Sequence, residues 1–408
     1  MRQVNILTLS KALQELRGHT LNSFECYLSA DKLSIPCKTG LNPPVWELGH
    51  LAWFQEYWIA RNLQRSQGLA CDLSPPRKAS LLSEADVWFD SAKIAHSTRW
   101  ELTLLTPQQC LQYAAQTLAQ TLELLHLETE HSPALYFYWL VLQHEAMHLE
   151  ASAYMAQSLE LPFKALWQQD TANAENVQRS GPPSQHQSAE YRTARVPSQT
   201  WKLGSKISNF DLNDQSKDSS SHSAMQERPF CFDNELIEKT CAIQGFEISL
   251  RPVNWAQYLD FLNSTGHRMP NYIRQTGTDF ETEVFGSWLP LNQAAPAVHL
   301  SWGDAQAYCA WAKCRLPLEA EWDCAAQTLT DFEWGRVWEW TQDTFAPYEG
   351  FVTHPYTEYS APWFGTHKVL RGASHLTHSV LRHVNYRNFF TPERDDIYSG
   401  FRTCTLSL

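Results

Sequence analysis

At 408 residues the chain has room for two domains. Its formal charge of −12 argues against nucleic acid or an anionic membrane as a partner. Charged residues are only 19% of the chain while tryptophan numbers 17, a balance that favours large cores and enclosed aromatic pockets over solvated tails. No run of 18 apolar residues suggests a membrane span. The opening stretch, MRQVNILTLSKALQELRGHT, lacks the continuous apolar core and small-residue cleavage site of a secretion signal. Ten cysteines are scattered without a CxxC pair, Cys309 and Cys314 being the closest two, as expected of buried thiols in a reducing cytosol. A cytoplasmic location is expected.

Helical periodicity runs through residues 6–30, 43–62, 107–128 and 133–160, which predicts a four-helix bundle with residues 65–105 as a longer crossover. Between 168 and 195 the composition turns polar around Gly181-Pro182-Pro183-Ser184, the signature of a linker. The expected division is a helical domain over 1–165, a linker over 166–195 and a second domain over 196–408. Asn213 to Ser223 is rich in Ser, Asp and Lys and predicts a surface loop. Farther on, short apolar pieces such as Pro229-Phe230-Cys231-Phe232 and Cys241-Ala242-Ile243 alternate with turn residues. One helix is predicted over Trp255–Asn263 and another from Ser301 through Trp311, where Ser301 and Asp304 match a cap and an acidic first turn. Many Gly, Pro and Trp with few long periodic segments point to an irregular α+β domain.

The chemistry concentrates in Gln143-His144-Glu145-Ala146-Met147-His148-Leu149-Glu150, inside the last helical segment of the bundle. His144 and His148 are i and i+4, so their imidazoles leave one face about 6 Å apart. Two neutral imidazoles at that spacing suit a borderline metal ion, although the third ligand of a zinc-protease helix is missing downstream. Two histidines on a buried helix also fit a hydrogen-bonded core. A third imidazole, His50, sits in Pro44-Val45-Trp46-Glu47-Leu48-Gly49-His50-Leu51-Ala52-Trp53, a helix opened by prolines suited to a first turn. Facing helices of a bundle build metal sites in its core, and three histidines leave positions open for catalysis. Glu47 and Glu150 are the candidate reserve ligands or partners of the ligands.

Several motifs of the second half resemble the formylglycine-generating-enzyme, or sulfatase-modifying-factor, fold. They are Ala297-Val298-His299-Leu300-Ser301-Trp302-Gly303-Asp304-Ala305, Arg315-Leu316-Pro317-Leu318-Glu319-Ala320-Glu321-Trp322, Val337-Trp338-Glu339-Trp340, Leu370-Arg371-Gly372-Ala373-Ser374 and Ser399-Gly400-Phe401-Arg402. Preceded by a DinB-like bundle with HxxxHxE and an upstream His, the arrangement resembles the EgtB family. Within it, Leu41-Asn42-Pro43-Pro44-Val45-Trp46-Glu47 and Tyr386-Arg387-Asn388-Phe389-Phe390-Thr391-Pro392 look most like the selenoneine-synthase (SenA) branch. The resemblance implies a DinB-like four-helix bundle followed by an irregular, C-type-lectin-like domain.

It also implies a nonheme iron(II) enzyme that uses O2 to join a sulfur or selenium donor to the imidazole C2 of hercynine. His50, His144 and His148 would hold Fe(II), and Tyr356 or Tyr359, most of all Tyr356, would supply a proton. Asn388 and Phe389 match a stretch lining the hercynine pocket. Gln55 is placed to reach the same pocket, and Trp53, Trp58, Phe389 and Phe390 offer faces for the trimethylammonium group. The family's γ-glutamylcysteine users carry an arginine pair where this chain has only Arg99, which fits a selenosugar donor better. Met147 replaces a glutamine common between the two helical histidines, leaving the imidazole partner open. No Cys lies between Cys324 and Cys404, so the copper-binding pair of the sulfatase modifiers is absent. Two other readings stand beside this one: a non-catalytic binding module, and a structural zinc closed by Glu150 or Glu47 as fourth ligand.

Overall fold

A computed structural model describes residues 5–168, 192–205 and 230–406. Most of the expected linker and all of the tract Asn213 to Ser223 lie outside the described residues. The helical half contains α1 (Ile6–Ser29), α2 (Pro44–Trp58), the short α3 (Ala85–Phe89), α4 (Pro107–His126) and α5 (Leu135–Ser158). Local sequence explains their starts. The Asn5 side chain accepts from Thr8 N to cap α1, and Thr106 with Gln109 forms a capping box at α4 around a first-turn proline. Neither α2 nor α5 has such a polar cap, and both are buried around nearly their whole circumference. Such helices are held by packing rather than by their ends. They form the centre of the molecule.

Two differences from the sequence expectation appear in this half. Helix α2 ends at Trp58, four residues short of the expected 62, because the chain turns with Arg61 N donating to Glu56 O at 3.0 Å. The crossover is not featureless: α3 lies in it, with Ala85 and Phe89 buried against α2.

The C-terminal half mixes short strands with three helices, the irregular α+β pattern expected. Strands β1 (Thr193–Val196), β2 (Gln199–Leu203), β3 (Lys239–Ile243) and β4 (Phe246–Ser249) are followed by α6 (Trp255–Thr265). A meander of β5 (Ile273–Thr276), β6 (Asp279–Val284) and β7 (Ser287–Pro290) precedes α7 (Trp302–Ala312) and α8 (Glu319–Thr328). The chain finishes with β8 (Trp338–Thr344), β9 (Lys368–Gly372), β10 (Asn388–Phe390), β11 (Ser399–Gly400) and β12 (Cys404–Leu406). The main sheet runs β10-β9-β8-β11, with only β11 parallel to its neighbour, and β1-β4-β12 forms a second antiparallel sheet. Ser301 caps α7 with Asp304, as the sequence indicates.

With the strands short and divided among four small sheets, side chains hold much of the interior together. Arg402 and Glu339 pair in the interior with neither side chain exposed, and Arg387 donates to Glu319 at 2.7 Å. Arg371 bridges Glu319 and Asp323. Each of these buried charges has a partner, which is the condition for burying it at all.

The two halves are joined along α5. Gln143 Nε2 donates to Val380 O at 2.9 Å, and Trp167 Nε1 to Leu376 O at 2.8 Å. One apolar core continues from Leu9 and Leu13 of α1 to Tyr398 and Phe401 near the far end. Among the described residues no helix is long and apolar enough to cross a membrane.

Candidate metal centre

His50 comes from α2, His144 and His148 from α5, and one ligand atom of each lies within 4.8 Å of the others. Each ring is braced by its own neighbours. His50 stacks on Trp46 at 4.9 Å and 7°, and its Nδ1 lies 2.8 Å from Phe89 O. That carbonyl arrives because Gly49 presents no side chain: a Cβ there would sit 2.3 Å from the Phe89 ring. Phe54, one turn after His50, lies flat on His144 at 3.6 Å and 7°. His148 Nδ1 donates to Glu47 Oε2 at 2.6 Å. The other Glu47 oxygen accepts from Asn42 Nδ2 at 2.5 Å, and Asn42 Oδ1 accepts from Arg99 Nη1 at 2.6 Å.

The donor set fits a divalent ion of borderline softness. Burial, with His148 nearby, lowers His50 to about 3 and His144 well below the ordinary imidazole value, so both keep free lone pairs at neutral pH. Carbonyl and carboxylate oxygens face Nδ1 of His50 and His148 as acceptors, which leaves Nε2 of each ring as the nitrogen that could hold a metal ion. Burial would raise the Glu47 carboxyl, but the facing His148, His50 and the Asn42 amide outweigh it and hold the group at about 2. Glu47 stands behind His148, one oxygen accepting from its Nδ1 and the other from Asn42 Nδ2.

Tyr356 approaches from the C-terminal half of the chain, its ring 6.0 Å from His144 and edge-on to it, and 5.0 Å from Phe54. Tyr359 is one ring farther out, 5.8 Å from Tyr356, stacked on Phe232 at 4.2 Å with its hydroxyl 3.1 Å from Tyr386 Oη. Burial raises both phenols above their ordinary value. Trp58 touches Tyr356 at 6.2 Å, whereas Trp53 lies 5.8 Å from His50 and ties its indole to Asp86. Phe389 on β10 is 5.7 Å from Tyr359 and stacks on Phe345, while the Asn388 side chain accepts from Phe389 N. Phe390 lies under the Arg394 guanidinium at 4.8 Å, and the same guanidinium is 5.5 Å from the Tyr154 ring of α5.

Two expected site residues sit elsewhere. Glu150 does not join the histidines: it accepts from Trp338 Nε1, Ser374 Oγ and Thr377 Oγ1 of the C-terminal half. Two residues beyond His148 its side chain leaves a different face of α5. Gln55 accepts from Arg17, whose guanidinium also grips Glu145 and Ala114 O in the bundle interior. Five residues past His50, α2 has turned by about 140° away from it. Asn42, Phe54 and the Phe89 carbonyl were not anticipated as site groups. Only Phe54, at i+4 from His50, carried a readable spacing signal.

One small cavity reaches Glu47 and His148 from inside the bundle, past Tyr27, Leu48, Leu51 and Met155. A second lies at the seam, walled by Tyr136, Asp233, His354, Tyr356 and Tyr359. Among the described residues neither wall includes an Arg or Lys.

This geometry has relatives. Residues 12–152 match the DinB superfamily, and residues 216–336 and 328–406 match the sulfatase-modifying factor enzyme 1-like domain. A hercynine oxygenase of Mycolicibacterium smegmatis is 26% identical over 89% of this chain and 90% of its own length. The chain thus pairs a DinB-superfamily region with a sulfatase-modifying-factor domain and is similar to a hercynine oxygenase over most of its length. Another hercynine oxygenase, of Mycobacterium tuberculosis, is 24% identical over 89% of this chain and 90% of its own length. Ergothioneine biosynthesis protein 1 of Schizosaccharomyces pombe is 23% identical over 86% of this chain but only 50% of its own. The chain thus spans nearly the whole of these bacterial relatives and about half of the yeast one.

Proposed function

We propose that the chain is a nonheme iron(II) enzyme that uses O2 to join the imidazole C2 of hercynine to a selenosugar. The observation carrying this is the convergence of three imidazoles on one point, with a protonated phenol beside them, in a chain built like the hercynine oxygenases. Fe(II) held by His50, His144 and His148 would supply the redox chemistry that couples the two substrates with O2.

The protein's own contribution is positional. Phe54 and Trp46 fix the planes of two ligand rings, and Glu47 and Phe89 O fix which nitrogen each offers. Tyr356, kept protonated by its burial and with its ring 6.0 Å from His144, would deliver a proton where negative charge develops. The aromatic groups at the seam, with Phe389 on β10, suit a cationic trimethylammonium substrate, whereas Phe390 already carries the Arg394 guanidinium.

Arg99 bears on the donor. Its Nη1 donates to Asn42 and its guanidinium lies 4.0 Å over the Trp46 ring, so part of its donor capacity is already engaged inside the bundle. Among the described residues neither cavity wall offers an Arg or Lys to pair a carboxylate, which supports a hydroxylated, uncharged donor over γ-glutamylcysteine or cysteine. A structural zinc is disfavoured by the fate of the two candidate fourth ligands, Glu150 turned to the C-terminal half and Glu47 behind His148.

The deciding experiment incubates purified protein with Fe(II), O2, hercynine and each donor separately, and follows products by mass spectrometry. The expected product carries selenium on the hercynine imidazole. A sulfoxide formed from γ-glutamylcysteine alone would reassign the donor, and no adduct from any donor would remove the activity altogether.

A further inference from the structure

We propose that Asn42 and Arg99 are positioning residues of the metal centre, the outer end of a hydrogen-bonded line Arg99–Asn42–Glu47–His148 that sets how His148 binds the ion. The inference rests on the metal-centre reading and adds to it two residues outside the ligand set. Arg99 Nη1 donates to Asn42 Oδ1 at 2.6 Å, Asn42 Nδ2 donates to Glu47 Oε1 at 2.5 Å, and Glu47 Oε2 accepts from His148 Nδ1 at 2.6 Å.

The chemistry of the groups allows only one polarity. A guanidinium can only donate, so the Asn42 amide must turn its oxygen to Arg99, which leaves its nitrogen to donate to Glu47. That orientation engages one Glu47 oxygen with the amide while the other meets the imidazole. A carboxylate behind a ligating imidazole raises its basicity and fixes its ring, and here the carboxylate is itself fixed.

Backbone and stacking hold the line in place. Asn42 enters through Pro43-Pro44, whose rings restrict the chain just before the first turn of α2, where Glu47 sits. The Arg99 guanidinium lies 4.0 Å over the Trp46 ring, and Trp46 in turn stacks on His50 at 4.9 Å. One arginine therefore braces two ligands by different means, His148 through hydrogen bonds and His50 through stacked planes.

The test is Co(II) binding to the full-length apoprotein, read by competition with a chromophoric chelator and by the visible spectrum of the bound ion. Asn42→Ala should weaken binding by about tenfold, the lower end of what lost partners of metal ligands cost. Asn42→Asp keeps the size and can still accept from Arg99, but it sets a second carboxylate against Glu47. It should weaken binding at least as much and shift the Co(II) bands. Arg99→Met should weaken binding by a few-fold, with Arg99→Lys intermediate, and it serves if the Asn42 variants fold poorly. A purely structural role would lower the melting temperature and leave the bands alone. Wild-type affinity and bands in Asn42→Asp and Arg99→Met would overturn the inference while the metal centre stands. Wild-type protein that takes up no Co(II) would overturn the metal-centre reading, and the inference with it.

Discussion

Glu150 Oε1 accepts the indole N–H of Trp338 at 2.8 Å, a bond between residues 188 positions apart. Ser374 and Thr377 donate to the same buried carboxylate, so α5 is pinned to the C-terminal half just beyond His148. Glu150→Ala would leave three buried donors without their acceptor. It should destabilise the protein by about 2–4 kcal/mol, since each such orphan costs about 1–3 kcal/mol before any relaxation. Denaturant unfolding checks this. A loss under about 0.5 kcal/mol would show that the junction does not depend on it.

His50, His144 and His148 should act as a set. Alanine at any one should abolish stoichiometric metal in the purified protein, measured by elemental analysis after anaerobic loading with Fe(II). Retention of a full equivalent in His50→Ala would mean that α5 alone suffices.

The two tyrosines should separate by distance. Tyr356→Phe removes the phenol nearest His144 and should lower turnover by about a hundredfold, with hercynine affinity little changed. Tyr359→Phe, whose hydroxyl meets Tyr386 rather than the histidines, should cost much less. Equal losses in the two variants would contradict the assignment of the proton donor to Tyr356.

The Glu319 cluster predicts an acid limb of stability. Burial opposes ionisation of Glu319, but Arg387 and Arg371 outweigh it, and the carboxyl is held below its ordinary value. A depressed carboxyl stabilises the fold fully above its unfolded value, near pH 4.5, and loses that contribution as pH falls toward the folded value. Asp323 shifts the other way, because its burial outweighs Arg371. Melting temperature measured between about pH 3 and 7 should therefore be less steep in Glu319→Gln than in the wild type. The variant should also be less stable at neutral pH, by about 3–5 kcal/mol for a broken buried pair. An unchanged acid slope would place the sensitivity elsewhere.

Legibility followed the range of the interactions. The i, i+4 spacing of His144 and His148 is written in the local sequence because a helix fixes it, and the proline opening of α2 located the helix that carries His50. The capping box at Ser301 and Asp304 is equally local and equally readable. Glu150 and Gln55 were not readable in this way. Their partners, Trp338 and Arg17, lie 188 and 38 residues off, and no spacing rule joins such pairs. Helix α3 was hidden for another reason: five residues are too few to show a period, and its place is set by packing on α2. The Phe89 carbonyl is a backbone group, so residue identity carries no sign of it.

The missing side chain at Gly49 makes the centre fragile in a place where nothing ligates. One added methyl would meet the Phe89 ring at 2.3 Å and push α3 outward, taking with it the oxygen that aims His50. A relative with alanine there would still display all three histidines in correct register and would pass any search keyed to them. Its apparent competence would be an illusion of the alignment, because the ring it relies on would have lost its bearing.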